Sequence, residues 1–66
     1  MEFIAFTNNF FGTGKTKQRA LINVLEELEQ NNAQARCIKF SKVTSDTDAF
    51  MVMESGFYNE GMIKLS

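Results

Sequence analysis

Residues 16–30 read TKQRALINVLEELEQ, and the first element of the fold follows from them. Leu21, Val24, Leu25 and Leu28 stand at i, i+3, i+4 and i+7, the spacing that lines one side of an α-helix. Ile22 widens the stripe, and Gln18, Arg19, Ala20, Glu26, Glu27 and Glu29 around it are good helix formers. Thr13 or Thr16 offers an N-cap oxygen, and Asn31 and Asn32 tolerate the left-handed backbone that closes a helix. The spacing predicts one amphipathic helix over 16–30.

Upstream, FIAFT at 3–7 is apolar on both alternating faces, the mark of a strand buried on two sides and hence central in its sheet. Asn8, Asn9, Gly12 and Gly14 then punctuate a loop. Downstream, ARCIKFSKV at 35–43 alternates imperfectly and reads as a strand. A turn at 44–47 leads into DAFMVME at 48–54, also read as a strand, and MIKL at 62–65 forms the last one. Two strands flanking a helix suggest a parallel pair joined by a right-handed crossover, and the short later connections suggest an antiparallel meander. The fold class expected is α+β: a two-layer β-α-β-β-β unit with one helix on a mixed, mostly antiparallel four-stranded sheet.

Sixty-six residues suit a single domain spanning 1–66. A chain this short buries only about 60% of its unfolded surface, and such domains often add disulfides, a metal or a partner subunit. Cys37 is the only cysteine, so disulfides within the chain are excluded; with no histidine, a tetrahedral zinc site lacks its ligands. Oligomerisation is the remaining device. A lone cysteine among apolar residues fits a reducing compartment, and MEFIAFTNNFF lacks the basic start and apolar run of a signal peptide. The expected location is cytoplasmic, with no membrane association.

The sheet poses a packing problem. One helix covers one face, yet Ala49, Phe50, Met51, Val52 and Met53 are apolar without a break. Strand alternation would send Phe50 and Val52 to one face and Ala49, Met51 and Met53 to the other. The second set becomes the expected partner or dimer face, since large exposed apolar patches are uncommon on monomers and methionine adapts to varied surfaces. The alternative is that Phe10, Phe11, Phe57 and Tyr58 fold back from loops to cover it.

The helix is also charged against its own dipole. Lys15, Lys17 and Arg19 crowd the N-terminal end and Glu26, Glu27 and Glu29 the C-terminal end, the reverse of the favourable arrangement. An anion at the N-terminus would offset that cost. Gly12, Thr13, Gly14 and Lys15, with Lys17 and Arg19, are therefore candidate phosphate-binding residues. Gly14-Lys15-Thr16 resembles the end of the phosphate-binding loop of P-loop nucleotidases. That pattern requires glycine five residues before Gly14, where this chain has Asn9, and the family is not assigned.

Other signals are weaker. Arg36, Lys39 and Lys42 fall on both faces of the 35–43 strand and make no single basic patch, and a net charge of −1 gives no overall nucleic-acid footprint. Asp46-Thr47-Asp48 carries two carboxylates, but in a turn these residues are favoured for their own backbone bonds. Cys37 has no histidine to activate it as a nucleophile. No catalytic residue, metal or cofactor is implied. The sequence points to a small non-enzymatic interaction module, accessory or inhibitory, that binds a protein partner or itself through the uncovered sheet face. The alternative is a phosphate-directed binder of nucleic acid or nucleotide.

Overall fold

The structure is a computed structural model and describes residues 2–65. It is an α+β fold in which a four-stranded sheet carries one helix on each face. The elements are β1 (Phe3–Phe6), β2 (Phe11–Gly14), α1 (Lys17–Gln30), β3 (Cys37–Lys42), α2 (Asp46–Ser55) and β4 (Met62–Lys64), with strand order β2-β1-β3-β4.

As its two-sided apolarity implies, β1 is central. Ala5 faces α1 and packs with Ala20, Val24, Leu28, Ile38 and Phe40. Ile4 and Phe6 point the other way and pack with Val43 and Ala49. Burying a residue such as Ile4 or Ile38 contributes about 1.5–3 kcal/mol, so each face holds part of the stability. Helix α1 runs over the predicted residues. The Thr16 Oγ1 accepts from the Arg19 N–H at 3.1 Å, and the Asn31 side chain donates to the Glu27 carbonyl at 2.8 Å.

Three expectations are corrected. The glycine segment is not a loop but β2, a strand hairpinned onto β1, with Phe6 opposite Phe11 and Phe3 opposite Gly14. The turn is closed by the Thr7 N–H on the Phe10 carbonyl at 2.9 Å. Glycine is a poor strand former, but here its missing side chain has a use: a Cβ on Gly12 would lie 2.3 Å from the Val24 nitrogen and 2.7 Å from the Ala20 oxygen. Helix α1 therefore rests directly on the backbone of β2.

Among the described residues every strand pair of the sheet is antiparallel and none is parallel. The crossover through α1 starts from β2, not β1, and ends on β3. Strands β2 and β3 both run against β1, so they point the same way, with β1 lying between them.

The segment read as a strand at 48–54 is helix α2. A short apolar run does not distinguish strand from helix by period alone, and the punctuation around it decides. The Ser45 side chain caps the N-terminus by accepting from the Asp48 N–H at 3.2 Å, and Asp46 and Asp48 place acid in the first turn. Gly56 ends the helix at φ +74, with its N–H on the Val52 carbonyl. Helical spacing gathers Ala49, Val52 and Met53 on one side, against Ile4, Phe6 and Val43. The second sheet face is therefore covered, by a second helix rather than by a partner or by loop aromatics. No helix among the described residues is long and apolar enough to cross a membrane.

Candidate interaction surface

Helix α2 turns only part of its circumference inward. With Ala49, Val52 and Met53 on the sheet, Phe50 falls about 100° to one side and Met51 about 160° away from Ala49, on the far side of the helix. Phe50 is 64% exposed, Met51 63%, and Phe57, just beyond the Gly56 cap, 60%. From the edge strand, Phe11 reaches the same side of the sheet as Phe6 and meets Phe50, ring centroids 6.4 Å apart and planes tilted by 58°. Tyr58, less exposed, carries the Lys39 ammonium 5.6 Å from its ring centre.

Of the expected partner residues Ala49, Met51 and Met53, the structure leaves only Met51 exposed. Ala49 is buried beneath α2, and Met53 is half-buried beside it. Helical geometry separates what strand alternation had grouped, and it exposes Phe50, which alternation had placed on the opposite face.

Phe57 is presented by a fixed backbone. Its N–H donates to the Ser55 Oγ at 3.2 Å, and its carbonyl accepts from the Ser41 Oγ at 2.9 Å. Ser41 is fully buried on β3, and its Oγ also accepts from the Asn59 N–H at 3.2 Å. The Asn59 side chain in turn accepts from the Lys42 N–H at 3.1 Å. One buried serine thus clamps the 57–59 loop to β3 while the phenylalanine ring stays outside. Nothing in the sequence singled Ser41 out; a lone polar residue facing inward on an otherwise apolar strand was the available sign.

The candidate anion residues do not form a cradle. Gly12, Thr13 and Gly14 lie in β2 under α1, and the Thr13 carbonyl accepts from the Asn23 side chain at 2.6 Å. Thr16 already serves the Arg19 N–H at the start of α1. The Lys17 ammonium donates to the Glu60 carbonyl at 2.5 Å and sits 5.5 Å from the centre of the Phe40 ring. That tertiary contact accounts for one of the misplaced charges without a ligand: Lys17 ties α1 to the turn before β4. Lys15 and Arg19 are exposed.

Asp48 is likewise occupied, its carboxylate accepting from the Thr44 N–H at 3.0 Å, a capping role. No group of three or more metal-ligating side chains gathers among the described residues. Cys37 is half-buried on β3 beside a small recess lined by Phe6, Lys39 and Met53.

Comparison with protein-family models, with curated proteins and with solved structures finds no match to this chain.

Proposed function

We propose that this chain is a small non-enzymatic interaction module that docks another protein on the α2 side of its sheet, through Phe50, Met51 and Phe57 with Phe11 beside them. The observation that carries this reading is Phe57. Its backbone is bonded at both N–H and carbonyl, and its ring is nevertheless left 60% in water. Most of the ring's apolar surface is therefore not used for packing within this chain. A backbone already held in place lowers the loop-ordering cost of binding. Aromatic residues anchored near the centre of a patch are the usual carriers of interface energy. The absence of histidine and the lack of an activating base for Cys37 weigh against an enzyme.

A photo-crosslinking amino acid placed at Phe57 or Met51, in cells, tests the reading, with Gln34 on the exposed 31–36 connection as the control position. Discrete adducts from positions 51 and 57, absent from position 34 and competed by the unlabelled protein but not by its Phe50→Glu variant, are expected. The same adducts from position 34, or none from the α2 side, would sink it.

A further inference from the structure

We propose that β4 is the seam of a twofold dimer, in which a second copy of this chain adds its own β4 to form one continuous eight-stranded antiparallel sheet. This goes beyond docking on the α2 side and uses the opposite end of the molecule from Phe11.

The phase of the β3–β4 ladder comes first. The Leu65 N–H donates to the Arg36 carbonyl and the Phe40 N–H to the Gly61 carbonyl, each at 2.8 Å. In an antiparallel pair, hydrogen-bonded and non-hydrogen-bonded positions alternate. Ile63, opposite Ile38, therefore bonds inward, while Met62 and Lys64 aim their N–H and carbonyl groups at the open edge. The other edge of the sheet differs. By the same reasoning Phe11 and Thr13 aim outward from β2, but the Thr13 carbonyl is taken by Asn23, and α1 lies directly over the strand. Among the described residues nothing pairs with the outer edge of β4, and of the two edges it is the open one.

The open groups match themselves. An antiparallel copy placed about an axis through Ile63 sets Met62 opposite Lys64 of the second copy and Lys64 opposite its Met62. Every outward N–H and carbonyl of both strands then has a partner. Ile63 meets Ile63 in the closely spaced, non-hydrogen-bonded position, and the stem of each lysine lies along a methionine. Other registers are worse. One shift brings Lys64 against Lys64, and the other runs the pairing onto Glu60, whose N–H is already given to the Phe40 carbonyl at 3.0 Å.

The side chains agree with the backbone. Natural edge strands are commonly protected by charge, but here Lys64 is flanked by Met62, Ile63 and Leu65, all exposed. On the α1 side of the strand, Ile63 borders a cleft of about 320 Å³ whose apolar walls include Leu21, Phe40 and Met62. A self-complementary patch that closes on itself is the commonest way for soluble chains to associate. An axis perpendicular to the sheet keeps both α2 helices on one face, so the dimer presents two copies of the Phe50–Phe57 surface in the same direction.

The test is sedimentation equilibrium of the purified chain over a range of concentration, with three variants. Lys64→Pro removes an outward N–H and fits an edge strand, where proline is tolerated and Ile63 is already extended. Lys64→Ala removes the charge and keeps the N–H, and Phe50→Glu alters the α2 side alone. Expected are twice the chain mass for the wild type, Lys64→Ala and Phe50→Glu, and the single chain mass for Lys64→Pro. Amide exchange at Met62 and Lys64 should slow as the wild-type concentration rises, a readout that stands even if Lys64→Pro does not fold. A wild type at the chain mass throughout overturns the seam, as does concentration-independent exchange at those two amides. A dimer lost in Phe50→Glu but kept in Lys64→Pro also overturns it, and moves self-association to the α2 side. The crosslinks from Phe57 answer the docking proposal separately.

Discussion

Replacing Gly12 by alanine should destabilise the protein severely, although the same change at an ordinary strand position would help. The backbone of Gly12 needs no positive φ, so alanine fits its conformation and would normally gain roughly 0.4–1 kcal/mol by restricting the unfolded chain. Here the added methyl would meet three backbone atoms of α1, the Val24 nitrogen at 2.3 Å, the Ala20 oxygen at 2.7 Å and the Asn23 carbonyl carbon at 2.7 Å. Ordinary contact begins at 3.4 Å, so the helix must retreat by 3.4 − 2.3 = 1.1 Å at that point. No side chain can swing aside to absorb the shift. Overpacking costs about 1–3 kcal/mol when neighbours adjust, and more when they are rigid. A retreat of α1 also loosens Ala20, Val24 and Leu28 from Ala5, Ile38 and Phe40. A loss of about 3 kcal/mol is expected, against a total stability of roughly 3–10 kcal/mol for a chain of this length. At about 4–8 °C per kcal/mol, Tm should fall by about 12–24 °C. Thermal unfolding followed by circular dichroism, with a urea titration to confirm the free energy, measures it. A Gly12→Ala protein as stable as the wild type would refute the close seating of α1 on β2.

Two further outcomes follow from the α2 side. Ser41→Ala leaves the Phe57 carbonyl and the Asn59 N–H without their shared partner, at a cost of about 1–3 kcal/mol; faster amide exchange at Asn59, with β1 unchanged, would show the loop released, and unchanged exchange would count against the clamp. Met51→Glu should alter stability by no more than about 0.5 kcal/mol, as exposed substitutions do, whereas Ala49→Glu places a charge between α2 and Ile4 and should prevent folding. Equal effects in urea unfolding would contradict the helical register of α2.

Those positions also mark where the sequence was legible. In α1, apolar spacing, composition and caps agree, so the helix could be read directly. The two-sided apolarity of β1 placed it correctly at the centre. At 48–54 the apolar run drew attention to alternation, while the informative residues stood outside it: Ser45, Asp48 and Gly56 are the cap, its partner and the stop of a helix. β2 was hidden for a different reason. Glycine signals a turn in isolation, and only the approach of α1, whose Ala20 and Val24 lie 8 and 12 residues further along the chain, shows why side chains are missing there. The tether of Lys17 and the clamp at Ser41 depend on the Glu60 carbonyl and the Phe57 loop, contacts 43 and 16 residues distant.

The placement of β1 between β2 and β3 predicts an order of assembly for the chain. β1 and β2 form a hairpin closed within a few residues, and α1 follows immediately and seats on β2, so the first thirty residues contain contacts that close cheaply. β3 must then dock on the far side of β1, and only afterwards do α2 and β4 have a surface to join. Substitutions beneath α1 should thus slow folding, while those beneath α2 should chiefly speed unfolding. Apart from Phe11, the residues proposed to meet other proteins thus lie in the half expected to form last and open first.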